Sequence, residues 1–232
     1  AAMSFNRWAD ADIDARTPRT ASRAIPAGLL SRRYVLGVTL VSAALFVLSA
    51  GMLNRMALLL SPVALAVLLG YSYCKRFTST AHFVLGLALG IAPIGAWVAV
   101  RGELAAVPLL LGLAVLVWTA GFDIIYACQD TEVDRREGLY SVPSRLGVRP
   151  ALYLSRALHV AAVTALAGAG ILAGLHWPWF TGAAVVAALL TAEHLIVNPR
   201  DLSRIDLAFF TINSWVGVVM FLFTMLDLFL YR

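Results

Sequence analysis

The stretch Ala105-Ala-Val-Pro-Leu-Leu-Leu-Gly-Leu-Ala-Val-Leu-Val-Trp-Thr-Ala-Gly-Phe-Asp-Ile-Ile-Tyr126 is almost wholly apolar until Asp123 interrupts it. A helix needs about 20 such residues to cross roughly 30 Å of hydrocarbon. Six further runs read the same way, at 34–53, 56–73, 81–100, 151–174, 179–197 and 207–230, the second of them short and carrying Pro62. The strands of a membrane barrel would alternate in character at every second residue, and these runs do not. The fold class is therefore all-α, a polytopic transmembrane helix bundle. Composition agrees: 61% of the residues are hydrophobic and 13% charged, with a mean hydropathy of +0.83, which excludes a water-soluble globular domain.

Basic residues gather on alternate loops: Arg16, Arg19, Arg23, Arg32 and Arg33; then Lys75 and Arg76; then Arg135, Arg136, Arg145 and Arg149; then Arg200 and Arg204. By the positive-inside rule those loops face the cytoplasm, leaving Arg55, Arg101 and Arg232 on the other side. Topology alone accounts for many of these charges, yet all but Lys75 are arginine, whose planar fork also suits phosphate. Cys74 and Cys128 lie at helix ends on that same side with no metal-ligand spacing around them, so both read as packing residues. The chain opens Ala1-Ala-Met3 and meets charge by Arg7, without a signal peptide, and reads as truncated at its N-terminus.

The residues that ask for chemistry form two ladders. In Asn6-Arg-Trp-Ala-Asp10-Ala-Asp-Ile-Asp14, the side chains of Asn6, Asp10 and Asp14 recur every four residues and share one helical face. The second ladder, Asp123-Ile-Ile-Tyr126-Ala-Cys-Gln-Asp130-Thr-Glu-Val-Asp134, aligns Asp123, Tyr126, Asp130 and Asp134 by the same rule. Asp10 to Asp130 and Asp14 to Asp134 are both separations of 120 residues, with four spans between, so both motifs reach one membrane face. Stacked like charges at a membrane boundary require a cation. Carboxylates and an amide without His or Cys suit Mg²⁺, which takes one or two protein carboxylates and fills its shell with water and phosphate oxygens. Solvated loop acids paired to arginine are the plainer reading; it explains one ladder better than two, and it is kept for Asp12 and Glu132. His82, His159, His176 and His194 share no ligand spacing.

With these motifs the chain resembles the UbiA superfamily of membrane prenyltransferases. The resemblance rests on the first ladder, on Arg19-Thr-Ala-Ser-Arg23-Ala-Ile-Pro26-Ala-Gly28, on Tyr71-Ser-Tyr-Cys-Lys75-Arg76, and on the second ladder. Four ordered motifs covering essentially the whole chain make it specific. It is closest to bacterial 4-hydroxybenzoate polyprenyltransferases, including the menaquinone-linked branch, through Glu132-Val-Asp-Arg-Arg-Glu-Gly-Leu-Tyr140 and Asp201-Leu-Ser-Arg204. Ser22 and Ala24 depart from the Asn and Pro usual in the family's loop after the first motif. The resemblance implies nine helices. The seven here then make residues 1–232 one transmembrane domain that begins at the end of the second helix, with pseudo-repeat halves of about 1–120 and 121–232.

It further implies transfer of a polyprenyl group from its diphosphate to an aromatic acceptor such as 4-hydroxybenzoate, in ubiquinone or menaquinone synthesis. The setting would be the bacterial inner membrane, with the site facing the cytoplasm. On that reading Asn6, Asp10, Asp14, Asp130 and Asp134 hold Mg²⁺, while Arg19, Arg23, Lys75 and Arg76 contact the diphosphate. Tyr71 and Tyr126 line the substrate, and Asp123 is left over as base. Trp97 is a third aromatic candidate whose plainer reading is packing, as it is for Gly86, Gly90, Gly95 and Ala96. Partners are the two substrates and the bilayer; neither nucleic acid nor an obligate protein partner is implied. Other acceptors, a hydroxynaphthoate or homogentisate, remain open, as does a non-catalytic fragment. A divalent-cation transporter would place its acids mid-span rather than at span ends. A CDP-alcohol phosphotransferase would carry an Asp-Gly-x-x-Ala-Arg signature, which is absent.

Overall fold

In the computed structural model, which describes residues 1–17, 20–199 and 201–231, all seven apolar runs are helices. Two short helices, α1 (Ala2–Ala9) and α2 (Ala11–Arg16), precede α3 (Arg32–Leu53), α4 (Arg55–Cys74), α5 (Ala81–Arg101) and α6 (Ala106–Ala127). Two more, α7 (Thr131–Arg136) and α8 (Val142–Leu146), lead into α9 (Val148–Ala173), α10 (Trp177–Ile196) and α11 (Asn213–Tyr231). A six-residue π-helical turn, Leu207–Ile212, runs directly into α11. Among the described residues the only β-type pairing is an isolated bridge between Asn198 and Asp201.

Helix α6 is the axis of the bundle, packed extensively against both α5 and α9. Its sequence explains the position. Buried Gly112, Ala114, Ala120 and Gly121 thin the helix on the faces its neighbours approach. At Gly86 of α5 a Cβ would stand 2.2 Å from the Leu116 carbonyl oxygen, and at Gly90 it would stand 2.5 Å from that of Gly112. On the other flank, the imidazole of His159 fills the space beside Gly121, where a Cβ would meet the ring at 2.4 Å. With little hydrophobic drive between helices in lipid, such close backbone approach supplies the van der Waals contact that holds them. Gly95 and its surroundings are different, with no atom within 4 Å of a built Cβ.

Helix ends are set by local chemistry. Ser31 Oγ accepts the Tyr34 N–H at 3.2 Å at the start of α3, and Asn54 Oδ1 accepts that of Ala57 at 2.8 Å at the start of α4. Asn54 also donates to the Val98 carbonyl at 2.7 Å, tying the α3–α4 turn to the far end of α5. At the motif end, Ile124, Ile125, Cys128, Val142, Leu152, Val197 and Ile205 form a buried apolar cluster beneath the α6–α9 connection. That cluster fixes the segment carrying the second motif.

Candidate active site

Each motif is folded as two helical pieces that meet at its middle aspartate. Asp10, at φ −92° and ψ 4°, ends α1 and opens α2; Asp130, at φ −96° and ψ 6°, ends the 3-10 turn Cys128–Asp130 that follows α6 and opens α7. The single continuous helical face expected for each ladder is thus a broken one. Stacked like charges disfavour an uninterrupted helix, and the break rests at a residue that tolerates this sparsely populated backbone region. The four-residue step nonetheless persists in the first motif. The Asp10 N–H donates to the Asn6 carbonyl at 2.9 Å, and the Asp14 N–H to that of Asp10 at 2.8 Å.

Asp10 is 1% exposed and fully engaged. Asn6 Nδ2 donates to it at 3.1 Å, Lys75 Nζ lies 3.0 Å away and Arg76 Nη2 3.2 Å away. Arg76 also donates to the Ala9 carbonyl at 2.5 Å, with its guanidinium 4.9 Å from the Tyr73 ring centroid. Buried Asp14 receives Arg23 Nη1 at 2.7 and 2.8 Å on its two oxygens. Off the ladder, exposed Asp12 pairs with Arg32 at 2.5 Å, and that guanidinium holds its carboxyl below the usual carboxylate value.

The second motif is braced by neutral donors. Ser141 Oγ donates to Asp134 at 2.7 Å and also caps α8, in a reciprocal arrangement with Ser144. The Tyr140 N–H donates to the Lys75 carbonyl at 2.7 Å, joining this loop to the end of α4. Asp123 Oδ2 lies 2.6 Å from Nδ1 of buried His82, whose Nε2 faces the Val142 N–H at 3.2 Å. Because that amide can only donate, Nε2 must carry the lone pair and Nδ1 the proton. His82 therefore donates to Asp123 as a neutral imidazole.

These groups meet in a cavity of about 230 Å³ between the motif-bearing ends of α1, α4, α5 and α6. Of the residues singled out from sequence, Asn6, Asp10, Arg23, Tyr71, Lys75, Asp123, Tyr126, Asp130 and Asp134 line it. Asp14 and Arg76 stand behind the wall, each holding a lining group: Asp14 holds Arg23, and Arg76 holds Asp10. Arg19 lies outside the described residues. The Tyr126 ring rests on Phe209, with centroids 4.2 Å apart. Trp97 belongs elsewhere: it lies fifteen residues along α5 from His82, roughly 22 Å by helical rise, beneath Arg101 at the opposite end of the span.

Ala81, His82, Ala127, Tyr140 and Ser141 complete the lining; none was singled out from sequence as a site residue, His82 having been considered only as a metal ligand. A histidine in the first turn of an apolar span was the available signal for His82, since a buried imidazole needs polar partners. The Ser141-Val-Pro-Ser144 capping pattern was the signal for the last. Among the described residues, no three His, Cys, Asp or Glu side chains converge closely enough to enclose a cation alone. The donor set fits Mg²⁺ rather than a softer ion, because it is all oxygen, opens on a cavity with cationic groups for an anionic co-ligand, and leaves most of the shell to water and phosphate.

The chain is similar to known proteins over nearly its full length. It is 32% identical over 217 residues to a mitochondrial 4-hydroxybenzoate polyprenyltransferase of Caenorhabditis elegans, covering 91% of this chain and 59% of that protein. It is 31% identical to a 4-hydroxybenzoate octaprenyltransferase of Citrobacter koseri, covering 94% of this chain and 74% of the relative. The fold superposes on the apo structure of a UbiA homolog from Aeropyrum pernix K1 with a TM-score of 0.90 at 34% identity, over 98% of this chain and 84% of that one. A more distant likeness, TM-score 0.69 at 20% identity over 94% and 82% of the two chains, is to a UbiA homolog from Archaeoglobus fulgidus bound to DMAPP and Mg²⁺. The UbiA prenyltransferase family profile matches residues 1–215, and this integral membrane protein belongs to that family.

Proposed function

We propose that the chain transfers a polyprenyl group from polyprenyl diphosphate onto the ring carbon of an aromatic acid of the 4-hydroxybenzoate kind, with Mg²⁺, as a step in quinone synthesis. The observation that carries this reading is the convergence, in one cavity, of both acidic motifs, the cations Arg23 and Lys75, and a carboxylate held by histidine. The relatives named as acting on 4-hydroxybenzoate supply the acceptor. The positive loops on the motif side support a site facing the cytoplasm of a bacterial inner membrane.

Asn6, Asp10, Asp130 and Asp134, with Asp14 behind them, would hold Mg²⁺, which when bound would supply Lewis-acid neutralisation of the diphosphate leaving group. Lys75 and Arg23 bring fixed positive charge to the same cavity and stabilise the charge that collects on the diphosphate oxygens as the carbon–oxygen bond breaks. Tyr71 and Tyr126 line the same cavity, where an aromatic ring would favour an allylic cation over the solvated alternative. The apolar helices beneath keep water from trapping that cation. Once the acceptor ring has attacked, Asp123 takes the proton from the substituted carbon. His82 holds it in place for that transfer.

Purified protein in detergent, given geranyl diphosphate, 4-hydroxybenzoate and Mg²⁺, tests the proposal. Prenylated acid that disappears with EDTA and returns with Mg²⁺ is the expected result. Absence of product, together with turnover of 1,4-dihydroxy-2-naphthoate under the same conditions, would replace the acceptor. Product persisting unchanged in Asp10→Ala and Asp130→Ala variants would overturn the metal and diphosphate site.

A further inference from the structure

Five basic side chains near the motif end pair with an acid. Arg16 lies 3.3 Å from Glu137, Arg23 2.7 Å from Asp14, Arg32 2.5 Å from Asp12, and Lys75 and Arg76 3.0 and 3.2 Å from Asp10. Arg149 and Arg156 are among those that do not, and they are set apart by sharing one aromatic ring and one cavity. Neither pairs with a carboxylate among the described residues; instead their guanidiniums lie 6.0 and 5.4 Å from the centroid of the same exposed ring, Tyr153. Seven residues apart on α9, they fall on one helical face, with Tyr153 between them as a rigid platform.

Their position is unusual for charges that serve topology alone. Arg156 lies eight residues beyond the start of a membrane-spanning helix, about 12 Å along its axis, whereas the positive-inside rule needs charge only in loops and flanks. An outward-facing arginine at that depth is costly unless something anionic meets it. A cavity of about 330 Å³ opens there between α9 and the end of α10, lined by both arginines, Tyr153 and Asn198. It shares Arg156 with a second cavity, of about 470 Å³, which continues between the same two helices over Val160, Val163, Leu190 and Leu195, with His159, His194, Thr164 and Thr191 also in its lining. Val160 and Leu195 are 67% and 79% exposed, so this trough lies on the outside of the bundle. It is separate from the active-site cavity, which α1, α4, α5 and α6 enclose.

We infer that the α9–α10 trough is a binding site for an anionic phospholipid of the leaflet on the motif side. The headgroup phosphate sits between Arg149 and Arg156, and one acyl chain lies along Val160, Val163, Leu190 and Leu195. Charge complementarity selects the occupant. Two guanidiniums without acids match a phosphodiester that carries net negative charge, and the apolar continuation matches a chain attached to it. Basic recesses between spans at the membrane boundary are where acidic headgroups gain most from arginine. This inference does not depend on the proposed reaction.

Native mass spectrometry of the purified protein in detergent tests it. The protein is titrated with phosphatidylglycerol, with phosphatidylcholine of the same acyl chains, and with inorganic phosphate. Wild type should bind phosphatidylglycerol on the order of tenfold more tightly than phosphatidylcholine, and the Arg149→Gln/Arg156→Gln variant should lose that preference. Arg33→Gln/Arg55→Gln, which removes the same charge elsewhere, should retain it. Circular dichroism confirms that both variants keep wild-type helix content. Equal phosphatidylglycerol binding by wild type and the Arg149/Arg156 variant would overturn the site. So would equal affinity for phosphatidylcholine, which would mark an apolar trough only, or competition by inorganic phosphate at the lipid's own concentration, which would mark a free-anion site.

Discussion

His82 Nδ1 lies 2.6 Å from Asp123 Oδ2, and the Val142 amide opposite fixes which nitrogen of the ring carries the proton. The pair joins the first turn of α5 to the last turns of α6, so the carboxylate assigned to proton removal is held by a neighbour 41 residues away in sequence. Asp123→Asn is expected to lower turnover by about 10²- to 10⁴-fold, the usual contribution of a positioned general base. His82→Ala should cost less, on the order of tenfold, and should alter the pH dependence of turnover. His82→Gln, which can still donate to the carboxylate, should recover much of the loss. Steady-state kinetics of the three variants across pH checks this, and equal turnover in His82→Ala and wild type would remove His82 from the mechanism.

Asp10→Asn separates function from stability. Its partners Lys75 and Arg76 keep 37% and 36% of their side-chain surface exposed, so losing the carboxylate leaves them hydrated rather than stranded. Because Asp10 itself is 1% exposed, the stability cost should be moderate, about 1–3 kcal/mol. On the proposed mechanism turnover should fall by at least about a hundredfold, because the same change removes a charge from the proposed leaving-group site. Thermal unfolding in detergent, measured beside product formation, reports both. A large drop in melting temperature with activity retained would reverse the assignment.

The α5–α6 contact should discriminate sharply between glycines. Gly86→Ala drives a Cβ to within 2.2 Å of the Leu116 carbonyl oxygen and should destabilise the protein by about 1–3 kcal/mol, since backbone cannot rotate out of the way. Gly95→Ala meets nothing within 4 Å and should be neutral or slightly stabilising. Comparing the two melting temperatures is sufficient. Equal effects would mean that α5 and α6 do not approach as closely as described.

A second polar group holds the opposite side of the bundle. Asn213 Nδ2 donates to Glu193 at 2.9 Å, and Trp118 Nε1 donates to Asn213 at 2.8 Å, linking α6, α10 and α11 through a glutamate that is 0% exposed. Asn213→Leu deprives both neighbours of a partner in a buried setting and should cost about 1–3 kcal/mol. Trp118→Phe removes one donor while keeping the ring and should cost less. Unfolding of the two variants in detergent gives the order, and the reverse order would show that the glutamate does not depend on Asn213.

The seven spans were legible because lipid enforces one rule along the whole chain, and runs such as 105–126 obey it residue by residue. The ladders were legible for a similar reason, since a four-residue step survives whether or not the helix is continuous. The breaks at Asp10 and Asp130 were not, because propensity hardly distinguishes an aspartate inside a helix from one between two helices. Nor did spacing reveal that Asp14 and Arg76 brace the cavity from behind, or that His82 reaches it. Those relations depend on how α1, α4, α5 and α6 pack, and sequence separation carries no record of that packing. Trp97 shows the converse: an attractive residue type, placed by helical rise at the far end of its span.

The acids of the first motif are already neutralised by basic groups of the same chain, Asp10 by Lys75 and Arg76 and Asp14 by Arg23. On the first-motif side the pocket's carboxylates already sit in internal ion pairs, while Asp123 and Asp134 are held by His82 and Ser141, so a ligand meeting the first motif exchanges partners rather than filling a charged void. A cation arriving alone must compete with guanidinium and ammonium for the carboxylates, and an oligoanion alone must compete with carboxylates for the basic groups. A ligand that brings both signs together meets neither penalty, since each old pair is replaced by a new one. On the proposed function, the resting salt bridges would thus favour a metal–diphosphate complex over either component alone.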